Sequence, residues 1–411
     1  MDEELRQVAH GCSKLGRTAI IPDDVRILSI LPFPALPLTH GGRVRAVELA
    51  LGMARAGGHV DLACPWHPGI PRRGCQHEAV TIRPFVFAAN LLPKLLGDRL
   101  VPPLFQLSLQ PYTVGPRRLL AQTRLYDVVE FHFCAYAAWM KRAAAYTRVV
   151  YAAHNVELDY ALQAAGSRRG SAFTRRIAAL ERRAVHDSHL VVTCTEADGV
   201  RLGELYGEIG SFEVVSNGFD AAELWDADPP HGDEVREELG LARDELVLLF
   251  VGGRGAQNRR AVEFLEHELL PRVHRPARLL VVGQCTRPRR EGRVLALGFV
   301  DSLVPLFAAA DVAVNPIQSG SGSNIKLAEY LAAGLPVVTT PVGLRGYEAF
   351  ADIVTVAPLD EFAEAVQSAR GLDGRRPEVA ELTWTALGGR LYGIYEQLVD
   401  RVRPPALPRP R

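Results

Sequence analysis

The strongest constraint on the fold is an alternation of short apolar runs with helix-length segments, which occurs in two series along the chain. The first series, rich in Val, Ile and Leu, comprises residues 25–31, 60–63, 80–85, 128–133, 149–153, 190–193 and 212–215. The second comprises residues 245–251, 279–282, 294–297, 312–315, 337–339 and 353–356. Such alternation is typical of βαβ units, and apolar strands indicate parallel sheets with helices on both faces. We predict an α/β fold with two doubly wound, Rossmann-like domains.

The domain boundaries follow from the segment between the two series. Residues 220–244 are acidic and include DADPPHGDE, which is typical of a linker. At roughly 150 residues per domain, the chain has room for two or three domains. We predict an N-terminal domain over 1–222 and a C-terminal domain over 223–382. A helix over 383–402 is then expected to pack back on the N-terminal domain, and 403–411 to form a disordered tail.

Composition indicates a globular protein of the cytoplasm. Hydrophobic residues make up 48% and charged residues 23% of the chain, and no apolar run reaches the length of about 18 residues that a membrane span needs. The N-terminus lacks the apolar region of a signal peptide. The six cysteines are scattered, and we expect Cys64 and Cys194 to be buried, reduced thiols. No HExxH motif is present, so we expect no structural or catalytic zinc.

Five small residues connect a predicted strand to a predicted helix in the stretch GSGSNIKLAEYLAAGLPVV. They are Gly320, Ser321, Gly322, Ser323 and Asn324, and the helix that follows begins near Ile325. Small residues let a backbone approach a ligand closely, and the free N–H groups of a helix start attract anions. We expect the side chain at 323 or 324 to cap the helix. The pattern predicts a phosphate site, although Ile at 325 breaks the glycine spacing of a dinucleotide site.

Two charged side chains follow on this helix. Lys326 and Glu329 are three residues apart and therefore share one face of the helix. An ammonium beside a diphosphate and a carboxylate beside ribose hydroxyls would suit a nucleotide. The alternative is an ordinary surface ion pair, which contributes under about 1 kcal/mol.

The stretch FAAADVAVNPIQSGSGSNIKLAEYLAAGLPVVTTPVG resembles the donor-binding signature of GT-B glycosyltransferases, in particular the retaining family-4 type. NGFD at 217–220, FVGG at 250–253 and HNVE at 154–157 extend the resemblance over most of the chain. It implies two domains facing across a cleft and a UDP- or GDP-linked sugar as donor. The implied acceptor is a glycan, a lipid-linked molecule or a small molecule, and not a nucleic acid. The resemblance implies no metal, and no cofactor beyond the nucleotide-sugar co-substrate.

The resemblance also assigns residues in the second domain. Glu329 matches the glutamate that holds the donor ribose, and Arg254 and Lys326 match cations beside the diphosphate. The loop residues 320–324 match the backbone under the diphosphate. Two departures from the family pattern stand out. Ser321 replaces a glutamate, and AQNRR replaces the part of the pattern that often carries a lysine, which leaves Arg259 and Arg260 both open as the second cation.

In the first domain, Gly41 and Gly42 follow a predicted strand and precede a helix that carries Arg43. A simple strand–helix connector is the alternative, but the match to the family places these residues on the acceptor or phosphate side. His132 resembles the family histidine that touches the transferred sugar and is the catalytic candidate in this domain. His154, Asn155 and Glu157 match the acceptor side. The alternative for both histidines is a structural role.

Three other functions stay open. A sugar-nucleotide epimerase of the same fold would need no acceptor, and a phosphorylase-like enzyme would need a lysine that carries pyridoxal. A catalytically inactive nucleotide-sugar-binding subunit is suggested by the serine at 321. The apolar segment 91–114 is interpreted as a variable acceptor-side loop region, with a peripheral membrane contact as the alternative.

Overall fold

A computed structural model describes residues 24–38, 41–67, 70–85, 119–165, 172–226, 231–369 and 377–401. The segment 91–114 and the tail 403–411 lie outside these residues. The chain divides into two compact units: residues up to Val215 together with those from Trp384 onward, and residues Ser216–Thr383. Among the described residues, no helix has both the length and the apolar character needed to cross a bilayer.

The first unit contains an eight-stranded sheet. Its strands are β1 (Arg26–Ile30), β2 (His59–Pro65), β3 (Cys75–His77), β4 (Val80–Phe85), β5 (Val128–His132), β6 (Arg148–Ala152), β7 (Leu190–Thr193) and β8 (Phe212–Val214). The order across the sheet is β3-β4-β2-β1-β5-β6-β7-β8. Every pairing is parallel except that of β3 with β4. At the centre of the sheet, Ile27 of β1 lies opposite Val60 on one side and Val128 on the other.

The helices with full bounds in the connections of this sheet are α1 (Gly41–Arg55), α2 (Ala137–Ala143), α3 (Glu157–Ala165), α4 (Ala172–His186) and α5 (Glu196–Tyr206). The central strands β1, β5 and β6 are buried except for Arg26 and Arg148 at the starts of β1 and β6, as expected when elements cover both faces of a parallel sheet.

The second unit contains a seven-stranded sheet. Its strands are β9 (Leu246–Val251), β10 (Ala277–Val282), β11 (Arg289–Glu291), β12 (Val294–Gly298), β13 (Val312–Asn315), β14 (Val337–Thr339) and β15 (Thr355–Val356). Their order is β11-β12-β10-β9-β13-β14-β15, and only β11 is antiparallel to its neighbour. The main helices of this unit are α6 (Gly232–Glu238), α7 (Ala256–Phe264), α8 (Val304–Ala309), α9 (Ile325–Ala332), α10 (Pro341–Leu344) and α11 (Phe362–Ser368). The α/β fold with two sheets is thus confirmed.

The observed strands differ from the predicted ones mainly at the sheet edges. Every predicted apolar run contains a strand; about half of the strand ends coincide with the predicted ones, and the others differ by one or two residues. The short antiparallel strands β3 and β11 were not predicted. Both have only three residues, and β11 has the sequence RRE, so neither shows an apolar run.

The last helix, α12 (Trp384–Asp400), belongs to the first unit and packs along α1. The two helices meet at Gly52 and Gly388. A Cβ atom added to Gly388 would lie 2.5 Å from the Cα atom of Gly52, so the two backbones are in direct contact. Tyr395 of α12 is fully buried, and its hydroxyl donates a hydrogen bond to Glu130 of β5 (2.7 Å).

The cysteines follow the prediction with one exception. Cys64 and Cys194 are free and buried, as predicted. Cys75 of β3 is disulfide-bonded, which the scattered spacing of the cysteines gave no reason to expect.

Candidate functional site

The loop between β13 and α9, residues 316–324, is hereafter the glycine loop. Two of its glycines have backbone angles that favour glycine, with φ at +145° for Gly320 and +73° for Gly322. The carbonyl oxygen of Gly320 accepts a hydrogen bond from Nη1 of Arg345 (2.9 Å). The predicted loop of small residues is therefore present, and an arginine 25 residues further along the chain holds it.

The start of α9 differs from the prediction. Asn324 is the N-cap residue by position, but its side chain does not cap the helix and instead donates to the carbonyl oxygen of Gly343 (3.3 Å). Ser323 is held by Asn217, whose backbone N–H donates to Oγ (3.1 Å) and whose side-chain amide donates to the carbonyl oxygen (2.8 Å). The predicted cap by residue 323 or 324 is thus wrong. The uncapped helix start leaves the positive end of the dipole facing the glycine loop, which suits an anion.

The turn that follows β14 is hydrogen-bonded to the glycine loop and supports it. Thr340 caps the short helix α10, because its hydroxyl accepts from the backbone N–H of Gly343 (3.0 Å), and the same hydroxyl donates to the carbonyl oxygen of Ile317. Asn315, the last residue of β13, donates through Nδ2 to the carbonyl oxygen of Gly343 (3.2 Å). A Cβ atom at Gly343 would lie 2.3 Å from Oγ1 of Thr339, so a larger residue would displace this support.

Lys326 turns its ammonium toward the start of α7. Its Nζ donates to Oδ1 of Asn258 (2.8 Å) and lies 4.2 Å from the centre of the Phe250 ring. The side chain is buried, with 8% of its surface exposed. Burial lowers the pKa of Lys326 to about 7, against the opposing effects of Cys285 and Glu329. A lysine at this position gains from an anionic ligand more than an exposed lysine would.

Glu329 lies one turn further along α9 and is partly buried. Burial and the charge of Glu223 raise the pKa of Glu329 to about 7, against the opposing charge of Lys326. No ion pair within 4.0 Å joins Lys326 to Glu329, and in the described part of the chain nothing donates a hydrogen bond to this carboxylate. The alternative of a surface ion pair therefore does not describe the two side chains.

The arginines after β9 are exposed. Arg254 follows Gly253, and Arg259 donates through Nη1 to the carbonyl oxygen of Arg254 (2.5 Å). Asn258 spans the turn, because its Nδ2 donates to the carbonyl oxygen of Gly253 (3.2 Å) while its Oδ1 accepts from Lys326. From the sequence, Arg259 and Arg260 are both open as the second cation, and that choice stays a prediction. The structure also brings Lys326 to this turn, and the signal that could have shown it was the asparagine within AQNRR.

In the first unit, the ends of β5 and β6 bring the two predicted histidines together. Nδ1 of His132 lies 2.8 Å from Nε2 of His154, and Nε2 of His132 lies 3.0 Å from Oε2 of Glu130. Both ring nitrogens of His132 therefore have partners inside the unit. His154 stacks on Phe133, with ring centres 4.3 Å apart. The sequence analysis identified both histidines but missed Glu130.

Of the predicted acceptor-side residues at the start of α3, Asn155 is partly buried and Glu157 is buried. The side chain of Asn155 donates to Glu157 (3.4 Å), and only 3% of Glu157 is exposed. Burial and the neighbouring Glu181 raise the pKa of Glu157 to about 8. Glu181 of α4 accepts hydrogen bonds from the backbone N–H groups of Glu157 (2.6 Å) and Leu158 (3.1 Å), so it caps the start of α3.

The glycines at the start of α1 are helical and do not form a separate loop. Gly41 and Gly42 are the first two residues of α1, and Arg43 donates through Nη1 to the carbonyl oxygen of Pro37 (2.9 Å). The first-turn N–H groups of a helix have no partner within the helix, so the acceptor- or phosphate-side role of these residues stays a prediction.

The first unit thus has a cluster of histidines and carboxylates at its strand ends, and the second has a cationic helix start with a glycine loop. The sequence family described as Glycosyltransferase Family 4 matches residues 39–223, and the family described as Glycosyl transferases group 1 matches residues 245–369. No curated protein sequence matches the chain.

Solved structures of glycosyltransferases resemble the whole chain. Sucrose-phosphate synthase from Thermosynechococcus elongatus is 20% identical with a TM-score of 0.72, and the match covers 92% of this chain and 100% of that one. WaaG, a glycosyltransferase involved in lipopolysaccharide biosynthesis, is 20% identical with a TM-score of 0.60, covering 92% and 99%. HepE from Anabaena, solved in complex with UDP-glucose, is 15% identical with a TM-score of 0.59, covering 92% and 98%.

These matches identify the class of protein: it is a glycosyltransferase. More narrowly, the chain belongs to the family-4 type of glycosyltransferases with the GT-B fold. The predicted family is therefore confirmed.

Proposed function

We propose that the protein transfers a sugar from a nucleoside-diphosphate-sugar to an acceptor hydroxyl, with retention of anomeric configuration and without a metal ion. The observation that carries this proposal is the arrangement on α9. An uncapped helix start, a buried ammonium and a carboxylate without a donor lie within two turns. A nucleoside diphosphate could bind all three: its phosphate oxygens would contact the N–H groups and the ammonium, and its ribose hydroxyls would contact the carboxylate. HepE, solved with UDP-glucose, makes a UDP-sugar the first donor to test.

The roles of the residues follow from their surroundings. The backbone N–H groups at the start of α9 and the ammonium of Lys326 would bind the diphosphate, with Arg254 as an exposed second cation. Cations and fixed N–H dipoles in a poorly hydrated site stabilise the charge that develops on a leaving phosphate, so a metal ion is not required for that task. Glu329 would accept hydrogen bonds from the ribose hydroxyls. The acceptor would be recognised by residues of the first unit.

Retention is proposed to follow from attack on the same face of the sugar that the diphosphate leaves. In that scheme the departing phosphate accepts the proton of the acceptor hydroxyl. The bond between the anomeric carbon and the diphosphate oxygen breaks as the bond to the acceptor oxygen forms. Product stereochemistry, read by NMR from the anomeric coupling constant, tests this step directly.

The first test is the replacement of Glu329 by alanine. A hydrogen bond to a charged group contributes about 1.5–3 kcal/mol, so Glu329→Ala should raise the donor KM by about ten-fold or more while the acceptor KM changes little. The matched control is Glu364→Ala, which removes an exposed glutamate from helix α11 of the same unit. Equal donor KM values for Glu329→Ala and the control would contradict the assignment.

A panel of nucleotide sugars separates the remaining functions. Saturation-transfer NMR should show binding of the donor base and ribose, and transfer should require an added acceptor. Conversion of the donor sugar without acceptor would favour an epimerase. Donor binding without transfer to any acceptor would favour an inactive subunit, for which Ser321 in place of glutamate is the motivating feature.

A further inference from the structure

A buried chain of three side chains links the core of the first unit to the ends of its central strands. It runs from the Glu130 carboxylate to Nε2 of His132 (3.0 Å), and from Nδ1 of His132 to Nε2 of His154 (2.8 Å). Only 1% of His132 is exposed, against 6% of His154. While this chain is intact, His132 has no ring nitrogen left for a substrate.

Glu130 is held by donors from two further elements. The Ser29 hydroxyl of β1 donates to Oε2 (2.5 Å), and the Tyr395 hydroxyl of α12 donates to Oε1 (2.7 Å). Burial alone would raise the pKa of Glu130, but the charge of His132 and the three hydrogen bonds outweigh burial and lower the pKa to about 2. An ionised carboxylate only accepts hydrogen bonds, so Nε2 of His132 carries a proton.

This arrangement couples the state of His154 to that of His132. If His132 is neutral, its Nδ1 accepts and Nε2 of His154 must donate; if His132 is cationic, its Nδ1 donates and Nε2 of His154 must accept. Because the Glu130 carboxylate keeps the proton on Nε2 of His132, a neutral His132 always presents Nδ1 as the acceptor toward His154. A carboxylate that orients an imidazole through a hydrogen bond is the usual way in which a protein sets the tautomer of a histidine.

The segment between the two histidines is conformationally unusual. Phe133 has φ at +62°, which a bulky residue adopts only when its surroundings enforce it. Its ring stacks on His154 at an interplanar angle of 23° and packs edge-on against Phe33. A strained residue that aligns an imidazole is a feature of functional sites more often than of ordinary strand ends.

We propose that Glu130 is a positioning residue that acts through His132 and orders the pair that His132 forms with His154. The proposal rests on the proposed glycosyltransferase function, but its central observable, the protonation of His154, is independent of any substrate. It differs from the sequence-based assignment, in which His132 itself touches the sugar. Among the described residues, Ser29 and Tyr395 donate to Glu130, and the buried Arg45 of α1 acts on Tyr395 through its charge.

The decisive experiment is a pH titration of the full chain labelled with ¹⁵N-histidine, followed through the imidazole nitrogens by NMR. His132→Asn and His154→Asn assign the signals. In the wild type, Nε2 of His132 should stay protonated across the titration. Glu130→Gln should shift the signals of both histidines, since the carboxylate that accepts from Nε2 of His132 is replaced by an uncharged amide.

Two tyrosine variants provide a second test, which still decides the question if Glu130→Gln does not fold. Tyr395→Phe removes one donor to Glu130 and should shift the same signals by a smaller amount. Tyr392→Phe, one turn earlier on α12, also removes a tyrosine hydroxyl from a buried side chain and should leave the two histidines unchanged. Unaltered His154 signals in both Glu130→Gln and Tyr395→Phe would overturn the proposal.

Kinetics with the nucleotide sugar selected by the binding panel, starting with UDP-glucose, then separate a positioning role from a structural one. Glu130→Gln should lower kcat by about 10- to 100-fold, with a shifted pH profile and little change in donor KM. A loss of kcat that keeps the wild-type pH profile would overturn the proposal in favour of a structural role. Failure of every nucleotide sugar in the panel to bind the wild type would refute the proposed function, whereas the titration would still decide the role of Glu130.

Discussion

Lys326 and Glu329 of α9 both have pKa values near 7, because the same cause shifts the two pKa values in opposite directions. Burial disfavours the charged form of each side chain, so it lowers the pKa of the lysine and raises that of the glutamate. A bound nucleoside diphosphate would change both. Negative phosphate oxygens favour the ammonium, and ribose hydroxyls that donate hydrogen bonds favour the carboxylate. The empty site therefore has protonation states that ligand binding should shift.

This residue-scale feature predicts proton exchange when UDP binds. Above about pH 7.5 the free lysine is largely neutral, so binding should take up a proton onto Lys326. Below about pH 6.5 the free glutamate is largely protonated, so binding should release a proton from Glu329. Isothermal titration calorimetry in buffers of different ionisation enthalpy measures both quantities.

Two conservative variants assign each effect to its residue. An arginine stays charged at all these pH values, so Lys326→Arg should abolish the uptake at high pH while leaving the release at low pH. Glu329→Gln should do the reverse. If the uptake at high pH survives in Lys326→Arg, another group is responsible, and the assignment of Lys326 to the diphosphate would be wrong.

At the scale of elements, the carboxyl ends of neighbouring strands assemble the donor side of the second unit. β9 leads into the turn with Asn258, β13 into the glycine loop, and β14 into the turn with Thr340. The turn after β14 is hydrogen-bonded to the glycine loop, and the turn after β9 is hydrogen-bonded to Lys326 in the first turn of α9. Ligand sites in parallel α/β sheets lie at this edge because all strands end there together.

The contact between α1 and α12 gives a second element-scale prediction. A methyl group on Gly388 would meet backbone atoms of Gly52, which cannot move aside as a side chain can. Gly388→Ala should therefore lower the free energy of unfolding by about 1–3 kcal/mol or more. Urea denaturation followed by tryptophan fluorescence measures this, because three of the four tryptophans (Trp66, Trp139 and Trp384) lie in the first unit.

The control lies on the same helix. Gly393 has open space where a Cβ atom would point. Gly393→Ala should leave the unfolding free energy unchanged or raise it by up to about 1 kcal/mol, since alanine favours a helix over glycine. Similar losses in Gly388→Ala and Gly393→Ala would show that the close approach of the two helices is not what makes Gly388 necessary.

At the scale of the whole molecule, the sequence predicts the sheets better than the site. Apolar runs identify the buried parallel strands because burial on both faces requires such runs. The edge strands β3 and β11 lack that requirement and were missed. The local pattern also placed the helix after the glycine loop correctly at Ile325.

The missed site residues share a physical cause. Asn258 meets Lys326 across 68 residues of sequence, Asn217 meets Ser323 across 106, and Tyr395 meets Glu130 across 265. The hydrophobic periodicity and the motif spacing of a local segment give no information about contacts between residues so far apart in the chain. The expectation that Ser323 or Asn324 caps α9 failed for the same reason, because distant partners engage both side chains.

The position of α12 in the first unit has a consequence for the whole chain. Leu391 and Tyr395 of this helix are fully buried, and burying one large apolar side chain contributes about 1.5–3 kcal/mol. The total stability of a domain is only about 5–15 kcal/mol. The stability of the first unit should therefore depend on α12, which follows the second unit in the sequence.

A chain that ends at Thr383 tests this dependence. This end point keeps the hydrogen bond from Phe219 to the carbonyl oxygen of Leu382 (3.0 Å) and the β-bridge between Phe219 and Thr383, both within the second unit. Hydrogen exchange should show loss of protection in β1 and β5, whereas peptides from the second unit stay protected and UDP still binds. A chain ending at Arg401, which retains α12, should behave as the full chain does. Retained protection of β1 and β5 in the shorter chain would contradict the prediction, because the first unit would then fold without the side chains of α12.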